Sequence, residues 1–130
     1  MGADQIAQMA RSIAKVYEGV TTPDDAPALL CTLESTTPSG SQVWIQVLPG
    51  NVNMVYPFTE GPLELLRQTG VRSPPDLYLV EWMAGEYTAF GFSDLPARDH
   101  ATFVDQLFVK ILGCDDDSYI LKATIESLAE

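Results

Sequence analysis

The sequence predicts an α+β domain in which an antiparallel sheet of about five or six strands packs against helices on one face. Two stretches repeat apolar residues at helical spacing, and several others alternate or run apolar as strands do. Glycine- and proline-rich breaks separate them. A chain of 130 residues is the size of one domain, and we expect residues 1–130 to fold as a single unit.

The first half of the chain predicts a helix followed by a three-stranded meander. Apolar residues recur at steps of three and four from Asp4 to Glu18, which indicates an amphipathic helix. Strands are expected at residues 28–35, 42–48 and 52–58, joined by turns in TTPSGS and PGN. A two-residue turn at PGN places on the core face Val43, Ile45, Val47, Val52, Met54 and Tyr56. Trp44 then lies on the opposite, mixed face.

The second half predicts a helix, a hairpin, a third helix and a strand. Pro62 and Gly70 bracket a short helix in residues 61–70. The hairpin occupies residues 77–92, and residues 97–113 carry the clearest helical stripe. The tail, residues 118–130, fits both an alternating strand and a helix, and we favour a strand with a frayed end. The predicted order is therefore α-βββ-α-ββ-α followed by a strand.

Charge limits the classes of partner. The chain has 18 acidic and 7 basic residues, a formal net charge of -11, so it repels phosphate backbones and anionic membranes. The acidity suits a basic or unfolded partner, or simply a solvated surface. The N-terminus lacks the pattern of a secretion signal, and no apolar run approaches membrane-spanning length. We therefore expect a cytoplasmic, soluble protein that binds neither nucleic acid nor membranes.

No pattern of catalytic, cofactor-binding or metal-binding residues emerges. Cys31 and Cys114 belong to no metal-binding spacing and are expected to be buried thiols. The acidic run that begins at Asp115 resembles a calcium loop only in part, because Tyr119 and Ile120 stand where such a loop needs an oxygen ligand and a glycine. His100 is expected at the surface in a first helical turn. We predict no catalytic residue, no cofactor and no metal.

The hairpin is apolar on more than one face, which predicts a binding surface. If Ala84 and Gly85 form its turn, the second face carries Tyr78, Trp82 and Tyr87. Together with Trp44 these aromatics would form a patch that monomers seldom leave uncovered. Either the tail or residues 19–27 cover this face, or it docks a twin subunit or a partner chain. We expect a second groove wall on the first helix, formed by Ile6, Met9 and Ile13.

The order of elements over residues 4–113, in a small and strongly acidic chain, resembles that of the type III secretion chaperones and the related YbjN-type proteins. The resemblance implies an antiparallel sheet backed by helices. It also implies a homodimer that binds an extended peptide or effector segment and performs no chemistry. A strand after Gly113 departs from the simplest pattern of that family. The first hypothesis is therefore a non-enzymatic, dimeric module that holds another polypeptide.

Two other classes of function stay open. The first is a small enzyme or ligand-binding domain with an enclosed pocket, in which Glu81 with Glu86, or Asp99 with His100, would supply the polar groups. The second is an immunity-type protein whose acidic surface neutralises a basic toxin. Fast association that weakens with salt would mark this second class.

Overall fold

A computed structural model of the protein describes residues 3–18, 29–93, 95–115 and 119–127. Its helices are α1 (Ala3–Glu18), α2 (Pro62–Gln68) and α3 (Ala97–Gln106), and α3 continues into one wider, π-helical turn at Leu107–Ile111. Its strands are β1 (Leu29–Thr36), β2 (Gln42–Leu48), β3 (Asn51–Val55), β4 (Tyr78–Met83), β5 (Tyr87–Gly91) and β6 (Lys122–Ser127). The predicted element order, including the strand in the tail, is confirmed.

The six strands form one antiparallel sheet in the order β4-β5-β3-β2-β1-β6. The meander of β1, β2 and β3 fills its centre, the β4–β5 hairpin extends it beside β3, and β6 returns to pair with β1. The tail forms a strand because its alternation matches β1: Ile125 pairs with Cys31 and Ala123 with Leu33. The predicted α+β class, with helices on one face of the sheet, is confirmed.

One face of the sheet and the apolar stripes of α1 and α3 enclose the core. The predicted inward residues of β2 and β3 are all buried, as are both free cysteines. Burial raises the pKa of the Cys31 thiol to about 11, so this cysteine is a packing residue at neutral pH.

The structure corrects the predicted groove wall on the first helix. Ile6, Met9 and Ile13 are 5%, 0% and 0% exposed, because the apolar stripe of α1 is the surface that packs against the sheet and α3. An amphipathic helix has only one apolar side, and here the core takes it. These three residues are therefore not accessible to a partner of the folded chain.

The hairpin also differs from its predicted geometry. Its turn has three residues, Ala84 to Glu86, since Met83 pairs with Tyr87, and the pairing shifts between Leu79 and Glu81. The shift is a β-bulge at Val80, and a bulge reverses the side on which the following residues of a strand point. Trp82 therefore faces the core, where its ring meets the buried Tyr56 ring edge-on at 5.9 Å. Its predicted place on the second face is wrong.

Side chains tie the loop between α2 and β4 to the rest of the fold. The Gln106 amide oxygen accepts a hydrogen bond from the Arg72 backbone N–H at 2.7 Å. Further along, the Asp76 carboxylate accepts from both the backbone N–H and the hydroxyl of Ser93. These bonds lower the pKa of Asp76. These side-chain hydrogen bonds hold the proline-containing loop between α2 and β4, which lies outside the hydrogen-bonded sheet.

We expect Gly50→Ala to destabilise the fold more than Gly85→Ala does. Both glycines have positive φ, +69° and +78°, so alanine is strained at either position. At Gly50, however, an added Cβ would also lie 2.9 Å from the Phe92 carbonyl oxygen, whereas at Gly85 it would meet no atom within 4 Å. Urea unfolding should show a loss of more than about 1 kcal/mol for Gly50→Ala. Equal losses in the two variants would contradict the close approach of the two backbone segments.

Candidate binding face of the sheet

The side chains on the face of the sheet opposite the helices, called the open face below, form three rows that cross the strands. The first row is Met83, Tyr87, Val55, Trp44, Glu34 and Lys122; the second is Glu81, Ala89, Asn53, Gln46, Thr32 and Thr124; the third is Tyr78, Gly91, Asn51, Leu48, Leu30 and Glu126. Among the residues that the structure describes, no helix packs on this face.

The first row is apolar across the centre of the sheet and charged at one end. Trp44, Val55 and Tyr87 are half-buried, and Met83 at the sheet edge is 49% exposed. Burial raises the pKa of the Tyr87 hydroxyl, and a hydrogen bond to the Glu81 carboxylate raises it further, so this phenol stays neutral. The row offers a continuous strip of aromatic and aliphatic surface.

The second row is polar and lies between two rows that contain apolar residues. At its centre the Asn53 amide nitrogen donates a hydrogen bond to the Gln46 amide oxygen at 3.2 Å. This hydrogen bond links the two side chains across β2 and β3. The row can therefore offer hydrogen-bonding groups to a chain lying on the apolar strip beside it.

The third row contains an aromatic ring that rests on a glycine. Gly91 pairs with Tyr78, and a side chain on this glycine would collide with the tyrosine ring. Because Gly91 has no side chain, the ring lies across the backbone while Tyr78 keeps 58% of its surface exposed. Half-buried Leu48 and Leu30 continue this row toward β1.

A cavity of about 560 Å³ opens at the charged end of the first row. The end of β1, the start of β2, the start of β6 and the residues Tyr119 and Ile120 border the cavity. Trp44, Glu34 and Lys122 lie in its wall. Tyr119 also lines the cavity, and its hydroxyl donates a hydrogen bond to the buried Asp105 carboxylate at 2.6 Å. The Gln5 amide also donates to the Tyr119 carbonyl at 2.8 Å, which ties this wall to α1.

The structure brings three of the four predicted aromatic contacts to the same face. Trp44 and Tyr87 lie in the first row and Tyr78 in the third, whereas Trp82 lies on the core side. The apolar residues of the open face that are not among the predicted contacts are Leu30, Leu48, Val55 and Met83. The alternation of apolar residues in β1, β2 and β3 indicates the face on which Leu30, Leu48 and Val55 lie. The face of Met83 depends on the bulge at Val80, which no residue pattern predicts.

The polar residues proposed for an enzyme do not converge on a pocket. Glu81 and Glu86 are exposed near the hairpin tip, and Asp99 is exposed on α3 while its neighbour His100 is buried. None of these four residues lines the cavity at the end of the first row. Asp99 lines a separate cavity of about 240 Å³ beside the loop between α2 and β4, and His100 does not line it. In the described ranges, no group of three or more His, Cys, Asp or Glu side chains is placed to hold a metal ion. Two residues of the predicted acidic run, Asp116 and Asp117, lie outside those ranges.

The predicted surface position of His100 is wrong, because the first turn of α3 faces the core. The imidazole is fully buried, its Nδ1 lies 2.7 Å from the Tyr17 hydroxyl, and the Phe92 ring meets it edge-on at 5.0 Å. Burial lowers the pKa of His100 to about 4, since charging the ring here would remove an ion from water. His100 is therefore a neutral packing residue that joins α3 to α1.

No helix in the described part of the chain has the length and apolar character needed to cross a membrane. Comparisons of the chain with protein-family models, with curated proteins and with solved structures gave no match.

We expect His100 to make stability depend on pH. Its folded pKa of about 4 lies below the ordinary 6.5, so the unfolded chain binds the proton first. Stability is then complete above about pH 6.5 and falls as pH drops toward 4. Between about pH 7 and about pH 5 the loss of unfolding free energy should be roughly 2 kcal/mol, measured by urea unfolding.

The variant His100→Phe should abolish this loss. The control variant Asp99→Asn, which changes an exposed neighbour of His100, should retain it. A wild-type loss that survives in His100→Phe would assign the pH dependence to other groups.

Proposed function

We propose that the protein is a non-enzymatic binding module whose open face holds an extended segment of another polypeptide. The observation that carries this proposal is the first row, where Trp44, Val55 and Tyr87 form an apolar strip beside the polar second row. A strip of this kind offers burial to alternate side chains of an extended chain. The neighbouring amides of Asn53 and Gln46 offer hydrogen bonds to polar groups of the same chain.

The outline of the open face accommodates an extended segment. Six strands about 4.8 Å apart and three rows about 6.6 Å apart outline a plane of about 500 to 600 Å². Alternate residues of an extended segment lie about 6.6 Å apart on one side, so several of them fit across the six strands.

Charge also favours a foreign partner. Two copies of this chain would each bring a formal net charge of -11, and their faces carry Glu34, Glu81 and Glu126 against Lys122. Self-association through this face thus brings like charges together, whereas an apolar or basic segment meets no such repulsion. This occupant is also the one that the resemblance to secretion chaperones implies.

We expect Trp44→Ala to weaken the binding of an extended peptide without unfolding the protein. The probe is a fluorescein-labelled peptide in which three leucines alternate with threonines, and fluorescence anisotropy gives its Kd. Removal of the indole from the centre of the strip should raise Kd at least about tenfold. The urea midpoint should change little, because the half-buried Trp44 points away from the core.

The matched control is Trp82→Ala, the same substitution on the core side. It should lower the free energy of unfolding by about 1 to 3 kcal/mol and leave the Kd of the folded protein within about twofold. The reverse outcome, in which Trp82→Ala impairs binding and Trp44→Ala does not, would refute the proposed face. Light scattering adds a second criterion: a wild-type dimer that Trp44→Ala dissociates would assign the face to a second copy instead.

A further inference from the structure

We infer that Gly91 is a positioning residue, which holds the Tyr78 ring across β5 as a fixed aromatic contact for the bound polypeptide. This inference rests on the proposed function, since both residues lie in the third row of the open face. An alanine Cβ at position 91 would lie 2.8 Å from Tyr78 Cε2, and it would lie closer still to Cζ and the hydroxyl oxygen. The end of the ring therefore occupies the space that a side chain at position 91 would fill.

The backbone conformation of Gly91 does not itself require glycine. Its φ is not positive, unlike the φ of Gly50 and Gly85. Glycine weakens a strand relative to alanine, and it often marks the close approach of another group. The group that approaches here is the Tyr78 ring, so the absence of a side chain at position 91 serves the placement of this ring.

Hydrogen bonds on both sides hold the pair of Tyr78 and Gly91 in register. Asp76, two residues before Tyr78, accepts hydrogen bonds from Ser93, two residues after Gly91. The next backbone N–H after Gly91 donates to the Gly50 carbonyl at 3.0 Å. The ring is therefore in place before a partner arrives, and preorganisation of this kind favours affinity.

Tyr78 stays accessible although its ring lies on the sheet. The tyrosine is 58% exposed, whereas Gly91 beneath the ring is buried. Tyrosine offers a large, rigid and amphipathic contact area at a low cost in conformational entropy. An apolar side chain of the partner that packs on this ring buries surface that the folded chain leaves in water, which favours binding.

The distance from Trp44 to Tyr78 predicts the spacing of apolar residues in the partner. Trp44 lies on β2 in the first row, and Tyr78 lies on β4 in the third row. Three strand spacings of about 4.8 Å and two row spacings of about 6.6 Å separate the two residues, which places them about 19 Å apart. Six residues of an extended chain span about 20 Å, and residues six positions apart point to the same side. We therefore expect the partner to carry apolar residues at positions i and i+6.

The test uses two fluorescein-labelled peptides of equal length in which leucine alternates with threonine. The first peptide has four leucines, so that the fourth lies six residues after the first, and in the second peptide threonine replaces the fourth leucine. By fluorescence anisotropy, the wild-type protein should bind the four-leucine peptide at least about threefold more tightly. Tyr78→Ala should abolish this difference, because the fourth leucine then has no ring to contact. Gly91→Ala should reduce it as well, because the new Cβ displaces the end of the exposed ring into solvent while the sheet stays folded.

The matched control is Gly61→Ala, since a Cβ at this position meets no atom within 4 Å and the φ of Gly61 is -56°. This variant should retain the difference between the two peptides. Urea unfolding adds a second readout, because alanine is the better strand residue once the ring is gone. The urea midpoint should therefore rise more when Gly91→Ala is added to Tyr78→Ala than when it is made in the wild type. Equal shifts in the two backgrounds, or a peptide difference that Gly91→Ala retains, would overturn the positioning role.

The outcomes separate this inference from the proposed function. If Trp44→Ala weakens the binding of both peptides while the difference between them survives in Tyr78→Ala, the contact at Tyr78 is overturned and the binding face stands. Failure of both peptides to bind the wild-type protein would remove the proposed function and this inference with it.

Discussion

The burial of one face of the sheet under α1 and α3 is the constraint on which the other features depend. In a strand, successive side chains point to opposite faces, so the packing of residues such as Leu33, Ile45 and Met54 into the core fixes their neighbours on the other side. The three rows of the open face are therefore a consequence of the core. A slip of one residue in β2 would bury Trp44 and Gln46 and expose Ile45 and Val47 of the core.

Much of this arrangement could be predicted, because the sequence shows two periodic patterns of apolar residues, one typical of helices and one typical of strands. The spacing of three and four identifies α1 and α3, and the alternation of β2 and β3 gives their faces correctly up to Tyr56. Local patterns do not show what another element covers, so the sequence predicts a groove wall at Met9 and a surface position for His100, whereas both side chains are buried. The bulge at Val80 is set by pairing with β5, and it moved Trp82 from the open face to the core.

The sequence predicts that an aromatic surface is exposed, but it does not predict where all of its residues lie. The surplus of aromatic residues indicates that some apolar surface faces outward, and three of the four aromatics do so. The cavity beside Trp44, by contrast, depends on β6 lying next to β1 and on hydrogen bonds between α1 and the segment at Tyr119. A single sequence does not show which residues pair over such distances, 88 positions from Glu34 to Lys122 and 114 from Gln5 to Tyr119. The structure thus adds two kinds of information, the register of the strands and the pairing of elements that are distant in sequence.

The two edges of the sheet differ from its open face in what they offer to another chain. At one edge the β4 bulge interrupts the regular ladder of backbone groups, and at the other β6 carries Lys122 and Glu126. Bulges and charges on outer strands are means by which natural proteins discourage strand addition and fibril growth. Another chain can therefore contact the side chains of the open face, whereas pairing with the backbone at either edge is disfavoured. The open face thus carries partly exposed apolar side chains, while both edges of the sheet resist the strand addition that leads to cross-β aggregation.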